Sequence, residues 1–208
     1  MLPDPQHLLA FTAAALVLAA VPGPGMLYVL ARSLAGGRDV GLRSSLGTAT
    51  GGLVHVVAAA TGLSALLAVS ASVFQVVKYV GAAYLIWLGL RMLATAKTAP
   101  QLSVEGGAVD NRAYRQGVLT EALNPKMALF FLSFLPQFCQ PETGPVAAQM
   151  ALLGLISVLL NTSADVVVAF AAGPLGRGLR HSPRWWRRQR TASGGLLVGL
   201  GVYTAARP

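Results

Sequence analysis

Three charged residues, Glu121, Lys126 and Asp165, lie inside long apolar stretches of the sequence. An ionised side chain at the centre of a bilayer costs at least about 2.5–3.5 kcal/mol, so it requires a partner or a wet cavity and marks a functional site. Lys126 could bind a substrate carboxylate, whereas Asp165, Glu121 or the imidazole of His55 could carry a coupling proton. Asn161 lies about one helical turn before Asp165 and extends the polar surface. The alternative is an ion pair between Lys126 and either carboxylate that only locks two helices together.

Two proline motifs interrupt the apolar stretches, Pro22-Gly23-Pro24 in the N-terminal half and Asn124-Pro125 in the C-terminal half. Proline removes a backbone donor and lipid offers no replacement partner, so such breaks survive only where they are buried or line a cavity. Broken helices at matching positions of two halves are typical of the binding site of a secondary transporter. The predicted substrate-binding and translocation residues are Pro22, Gly23, Pro24, Asn124, Pro125, Lys126, Asn161 and Asp165.

The composition defines the environment of these residues. The chain of 208 residues is 54% hydrophobic and only 11% charged, and its mean hydropathy is +0.60. These values are too apolar for a soluble domain of this size and indicate a polytopic membrane protein. About 20 apolar residues cross the hydrocarbon core. The segments that meet or approach this length are roughly 8–31, 44–70, 74–94, 115–138, 146–172 and 191–206.

These segments predict an all-α integral membrane protein with six transmembrane helices, of which helices 1 and 4 are broken. Similar motifs in the two halves, such as Pro24-Gly25-Met26 and Pro125-Lys126-Met127, indicate two inverted three-helix repeats. The whole chain then forms one transporter domain. Its predicted parts are repeat 1 at about 6–94, a cytoplasmic loop at about 95–113 and repeat 2 at about 114–206.

The basic residues predict the orientation of the chain. The net charge is +9, and all Lys and Arg residues except Lys78, Lys126 and Arg207 lie in or beside the loops after predicted helices 1, 3 and 5. The positive-inside rule places these loops in the cytoplasm and both termini outside. Because the charges follow the membrane topology, no nucleic-acid partner is predicted. The expected surroundings are the lipid bilayer, and association into a homo-oligomer stays open.

The remaining residue types exclude several chemistries. Cys139 is the only cysteine, so a disulfide, a CxxC pair and electron transfer between two thiols are excluded. His55 is the only histidine within a predicted helix, so no metal site is predicted. GxGxxG, P-loop and nucleophile-elbow motifs are absent, and we therefore predict neither an enzyme nor a cofactor. The ranges Gly47–Gly51 and Gly195–Gly199 have the small-xxx-small spacing of close helix contacts.

Several motifs together resemble the LysE/RhtB family of amino-acid exporters. The N-terminal ones are Pro22-Gly23-Pro24, the run from Arg32-Ser33-Leu34 to Gly41-Leu42, and Leu46-Gly47 through Gly51 to His55. The others are Lys78 to Leu85 with Trp87-Leu88-Gly89, and Leu123-Asn124-Pro125-Lys126 running to Phe134-Leu135-Pro136-Gln137-Phe138. The resemblance covers nearly the whole chain, although the C-terminal third matches mainly by hydropathy and by the position of Asp165.

The resemblance implies a bacterial inner-membrane exporter of amino acids or close derivatives that exchanges its substrate for protons. Carried onto this chain, the two proline motifs and Asp165 line the translocation path. Because Glu121 and Asp165 face only Lys126, the charge balance favours a neutral zwitterionic substrate of the homoserine/threonine or leucine type. Two alternatives stay open. One is a divalent-cation exporter of the same superfamily, which Lys126 disfavours, and the other is a structural membrane protein without transport.

Overall fold

The computed structural model describes residues 4–63, 71–96, 111–180 and 183–206, and every regular element in these ranges is helical. The helices are α1 (Pro5–Ala20), α2 (Pro24–Ala58), α3 (Ala71–Ala94), α4 (Asn111–Ala122), α5 (Pro125–Leu129), α6 (Val146–Arg180) and α7 (Pro183–Ala206). A π-helical turn follows α2 at Ala59–Leu63. Another follows α5 at Phe130–Phe134 and leads into 3₁₀ turns at Leu135–Phe138 and Pro141–Thr143. The all-α prediction is confirmed for these ranges, whereas residues 64–70 and 97–110 of the predicted elements lie outside them.

Both predicted helix breaks are confirmed. After α1, Val21 is extended (φ −80°, ψ 111°), and α2 begins at Pro24. After α4, Asn124 is extended (φ −73°, ψ 109°), and α5 begins at Pro125. In both cases proline occupies the first helical position. A backbone N–H at this position has no partner within the helix, so its absence costs no hydrogen bond, and the fixed φ of proline suits the helix. Each motif therefore ends one helix and immediately starts the next.

A single glycine replaces the loop expected between predicted helices 1 and 2. α2 is helical on both sides of Gly37, whose φ of +82° lies in the left-handed region that favours glycine. A Cβ atom on Gly41 would touch the hydroxyl of Ser33, although two turns of continuous helix would hold these residues about 12 Å apart. The chain therefore turns back on itself at Gly37. Helix continues up to this glycine from both sides, beyond the limits at residues 31 and 44 that the sequence predicts for the two spans.

Hydrogen bonds join segments at two opposite ends of the helices. At one end, the backbone N–H of Asp4 donates to Oε1 of Gln140 (2.9 Å). At the other end, Nη1 of Arg190 donates to the carbonyl of Thr95 (2.7 Å). The start of the chain therefore lies beside the loop 139–145, which has no basic residue, and the ends of α3 and α7 that carry arginines lie together.

An aromatic cluster of Phe11, Phe130, Phe134 and Phe138 fills the end that has no basic loop. The ring centroid of Phe11 lies 6.1 Å from that of Phe130 and 5.4 Å from that of Phe138. Phe134 lies 5.1 Å from Phe130 and 4.9 Å from Phe138, and it also contacts Tyr203 near the end of α7. All four phenylalanines are fully buried. Such ring pairs stabilise the packing of α1 against the segment that follows α5.

Two stretches of the described chain are long and apolar enough to cross a bilayer by themselves, Arg112–Phe138 and Val146–Ala172. The bent pair Pro5–Ala20 and Pro24–Gly62 provides a third if it is counted as one span. These stretches agree with predicted helices 4 and 5 and include predicted helix 1. The arrangement of six spans in two inverted repeats stays a prediction.

Close helix contacts occur at glycines, as predicted for one of the two motifs. A Cβ atom on Gly47 or Gly51 would overlap a carbonyl oxygen of α4, so these glycines let α2 and α4 approach closely. The second prediction is wrong. Gly195 and Gly199 have no described atom within 4 Å of a Cβ position, because they are on an exposed face of α7. The glycines of α7 that contact α3 are Gly194 and Gly201 instead.

We expect Gly51→Ala to lower the thermal stability of the purified protein. The added methyl group would collide with the backbone of α4, and overpacking of this kind costs about 1–3 kcal/mol. The matched control is Gly199→Ala, which adds the same methyl group to open space on an exposed helix face. Melting temperatures of both variants in one detergent provide the measurement. Equal melting temperatures would contradict the close packing of α2 on α4.

Candidate substrate and translocation site

The two helix breaks meet at Lys126. Its ammonium group donates hydrogen bonds to the backbone carbonyls of Val21 (2.8 Å) and Leu18 (3.2 Å), although these residues are 105 and 108 positions away in the chain. The last carbonyls of a helix have no partner within it, and its C-terminal end attracts a cation. Lys126, which is only 5% exposed, therefore occupies the break after α1. Gly23 permits this approach, because a Cβ atom there would lie 3.1 Å from Cε of Lys126.

Asn124 connects Lys126 with Glu121. Its Oδ1 accepts a hydrogen bond from the backbone N–H of Lys126 (3.0 Å), and its Nδ2 donates to Oε2 of Glu121 (3.0 Å). The Glu121 carboxylate lies against the backbone of Gly25, where a Cβ atom would overlap it. Gly25 is in the first turn of α2, and the positive end of that helix stabilises a nearby anion. His55 approaches the backbone of Glu121, not its carboxylate, with Nε2 at 2.9 Å from the carbonyl oxygen.

Asp165 enters the site from α6. Its Oδ2 accepts a hydrogen bond from the Thr48 hydroxyl of α2 (2.7 Å), and the carboxylate is only 6% exposed. Asn161 lies one turn earlier on α6, and its Nδ2 donates to the carbonyl of Ser157 (2.9 Å). α6 thus supplies a carboxylate and an amide to the polar cluster.

Two small cavities join these groups. Lys126, Glu121, Asn124, Asn161 and Asp165 line the first, and Glu121, Asn161 and Asp165 also line the second. Each cavity has a volume of about 10 Å³, which is close to the space that one water molecule needs. The tertiary structure therefore brings the predicted lysine and both predicted carboxylates to the same buried cavity.

A larger cleft of about 390 Å³ adjoins this cluster. Lys126 and the first proline motif form part of its wall, and Arg91 and Arg190 contribute two further cations. Leu27, Leu88, Met92 and Leu197 contribute apolar side chains to the wall. Since Arg91 is exposed and Lys126 is buried, the cleft leads from the arginine-bearing end of α3 and α7 toward the buried cluster.

Not every predicted residue contributes its side chain to a cavity. Pro125 is exposed and starts α5, and His55 lines neither the cleft nor either of the two small cavities. Sequence reasoning missed Thr48, Gly25, Arg91 and Arg190. Thr48 is a polar residue within a predicted helix, which is a weak signal, and the arginines were interpretable only as orientation charges.

The ion-pair alternative for Lys126 differs from what the structure contains. Among the described residues, no ion pair within 4.0 Å joins Lys126 to Glu121 or Asp165, and the pair that is found lies elsewhere, between His7 and Asp4 at 3.8 Å. Lys126 instead shares a cavity with the carboxylates of Glu121 and Asp165 and donates to main-chain carbonyls. An ammonium group has three N–H donors, so these two hydrogen bonds leave one donor for a ligand.

Cys139 is an apolar filler in this structure. It packs against the main hydrophobic core, and burial raises the pKa of its thiol to about 12. The thiolate, which is the reactive form of cysteine, is therefore suppressed at neutral pH.

Polar breaks inside an apolar helical bundle are stable because they line cavities, and the class of protein with this construction is the membrane transporter. The chain matches the LysE type translocator family over residues 16–207. It belongs to that family, which is a family of transporters and not of enzymes, and the predicted resemblance is confirmed.

Relatives of known sequence align with almost the whole chain. An uncharacterized membrane protein of Pseudomonas aeruginosa is 34% identical over 202 residues, which are 89% of this chain and 88% of the relative. The homoserine/homoserine lactone efflux protein of Salmonella typhimurium is 26% identical and covers 95% of both chains. The leucine efflux protein of Enterobacter is 26% identical over 94% of this chain and 93% of its own. No solved structure matches.

Proposed function

We propose that this protein is an inner-membrane secondary transporter that exports amino acids or close derivatives in exchange for protons. The observation that carries the proposal is the position of Lys126, which lines both the open cleft and the small cavity shared with Glu121 and Asp165. A substrate carboxylate reaching Lys126 from the cleft would come next to groups able to exchange a proton. The relatives named for homoserine/homoserine lactone efflux and leucine efflux support an amino-acid substrate.

The proposed substrate is a neutral zwitterionic amino acid of the homoserine/threonine or leucine type. Lys126 matches the single carboxylate of such a molecule. The two carboxylates of the cluster balance two positive charges, that of the lysine and that of the substrate ammonium. No negative charge remains to balance the second cation of a dibasic amino acid. A hard divalent cation would prefer several carboxylates and no adjacent lysine.

The proposed architecture has six spans in two inverted repeats, with both termini outside. In support, α2 packs along α6 and α3 packs along α7, which pairs predicted helices 2 with 5 and 3 with 6. Corresponding helices contact each other in this way around a pseudo-two-fold axis. The chain also reverses its direction at Gly37 within α2, and such a reversal is needed if predicted helices 1 and 2 cross the membrane in opposite directions.

In this orientation the cleft faces the cytoplasm. Its outer wall carries Arg91 and Arg190, which belong to segments that the positive-inside rule assigns to the cytoplasm. The buried aromatic cluster closes the opposite end. An exporter in this state would be open to its substrate from inside the cell, and export would require the aromatic cluster to open.

Efflux from bacteria tests the proposal. Cells that express the chain are loaded with amino acids by feeding dipeptides, and the release of neutral, basic and sulfur-containing amino acids is measured. We expect faster release of a neutral amino acid than from cells expressing Lys126→Ala, and unchanged release from the control Gly199→Ala. Equal release of every amino acid by cells with and without the protein would refute amino-acid export.

A further inference from the structure

The open cleft has an unbalanced charge. Arg91 from α3, Arg190 from α7 and Lys126 from α5 lie on its walls, and none of the described residues that form the walls is an aspartate or glutamate. The carboxylates Glu121 and Asp165 are on the far side of Lys126, in the two small cavities. A ligand that enters the cleft therefore meets only positive charge before it reaches the buried cluster.

The two arginines are held at the same place by close packing of their helices. A Cβ atom on Gly89 would lie 2.6 Å from the carbonyl oxygen of Gly194, and one on Gly194 would lie 2.7 Å from that of Gly89. This approach brings together the end of α3 and the start of α7. Nη1 of Arg190 donates to the carbonyl of Thr95 (2.7 Å), which orients the guanidinium. A guanidinium has five N–H donors, so donors remain for a ligand.

The rest of the cleft is suited to an aliphatic group. Leu27, Leu88, Met92 and Leu197 line it beside the cations. Its volume of about 390 Å³ is near the lower end of the range found for small-molecule pockets, which suits a single amino acid better than a long peptide. A second positive charge on the ligand would be repelled, because none of the described wall residues is an acid that could balance it.

We propose that Arg91 and Arg190 form a carboxylate-selecting site at the mouth of the cleft. The site accepts organic carboxylates that have an aliphatic side chain and no second positive charge, whether or not they carry an amino group. It rejects amides, lactones and dibasic amino acids, because these lack a free carboxylate or add a cation. This inference rests on the proposed function in that the cleft is the path by which substrate enters, and it adds the substrate class and the residues that select it.

Binding measurements on the purified protein test the selection independently of transport. The ligands are leucine, 4-methylpentanoate, which lacks the amino group, leucinamide, which lacks the carboxylate, and lysine. Calorimetry or ligand-induced thermal stabilisation gives the affinities. We expect the two monocarboxylates to bind at least about tenfold more tightly than leucinamide or lysine, since a charge-assisted hydrogen bond is worth at least one decade in affinity.

The variants Arg91→Gln and Arg190→Gln should each weaken carboxylate binding about tenfold and reduce the preference over leucinamide. Arg190→Lys keeps the charge and should retain part of the affinity. The matched control is Arg188→Gln, because Arg188 is an exposed arginine of the same helix outside the cleft wall, and it should bind like the unmodified protein.

The proposal is overturned if leucinamide binds as tightly as leucine, if no monocarboxylate binds, or if the Arg91 and Arg190 variants match the Arg188 control. In the last case the arginines act only as orientation charges at the membrane surface. Carboxylate binding that needs both arginines, combined with no amino-acid efflux from cells, would support the carboxylate site and refute the proposed export of amino acids.

Discussion

Lys126→Ala is expected to abolish export while the protein remains in the membrane. The substitution removes a cation that lines both the cleft and the buried cavity, together with its hydrogen bonds to the carbonyls at the end of α1. Substrate would then lose its charged partner next to Glu121 and Asp165. Efflux per unit of protein, with membrane abundance measured by immunoblotting, provides the test, and we expect a fall to the background of cells that lack the protein.

Lys126→Met separates charge from packing, because methionine is an unbranched side chain that fills much of the same space without a charge. It should also lack export. Normal efflux by Lys126→Met would falsify the assignment of Lys126 to substrate binding. Loss of membrane protein in both variants would instead indicate that the contact between the two helix breaks is needed for folding, and a stable Lys126→Arg variant would then carry the functional test.

Asp165→Asn is expected to abolish proton-driven export and to leave some exchange of substrate across the membrane. The amide can still accept the hydrogen bond that the Thr48 hydroxyl donates to Oδ2, but it cannot take up and release a proton. Both activities are measured in liposomes that contain the purified protein. Net export is measured with a pH gradient across the membrane, and exchange is measured with equal pH on both sides. Glu121→Gln is measured in parallel, because Glu121 lines the same two cavities.

The pair of variants identifies the proton carrier. Loss of gradient-driven export in only one of them assigns the role to that residue, and retention in both would contradict proton coupling through this cluster. Ser163→Ala is the matched control on α6, since the Ser163 hydroxyl is exposed and donates to a carbonyl of its own helix. It should behave like the unmodified protein in both assays.

The sequence by itself determined the helix breaks and the types of the central charged groups. Proline fixes its own φ and lacks an N–H, so the residue order around Pro24 and Pro125 favours a helix break at each of these positions. The presence of Lys126 and Asp165 within apolar stretches likewise follows from the order of residues alone, as does the resemblance to the family that the chain proved to match. These are local properties, which do not depend on how the helices pack.

The loop predicted between helices 1 and 2 shows where local reasoning failed. The end of the first apolar segment and the basic residues after it predicted a loop, but only the backbone geometry reveals that one glycine at φ +82° reverses the chain. The prediction of a close helix contact from the Gly195–Gly199 spacing was wrong for a related reason. A small-residue motif states that close approach is sterically possible, and it does not state which face of α7 meets a neighbour.

Only the tertiary structure decided the partners of the central groups. Lys126 donates to carbonyls more than 100 positions away, and the Thr48 hydroxyl meets Asp165 at a separation of 117 positions. Arg91 and Arg190 become part of one cleft because Gly89 and Gly194 allow α3 and α7 to touch. The physical reason is that residue types fix what a side chain can bind, whereas long-range helix packing fixes which side chains share a cavity.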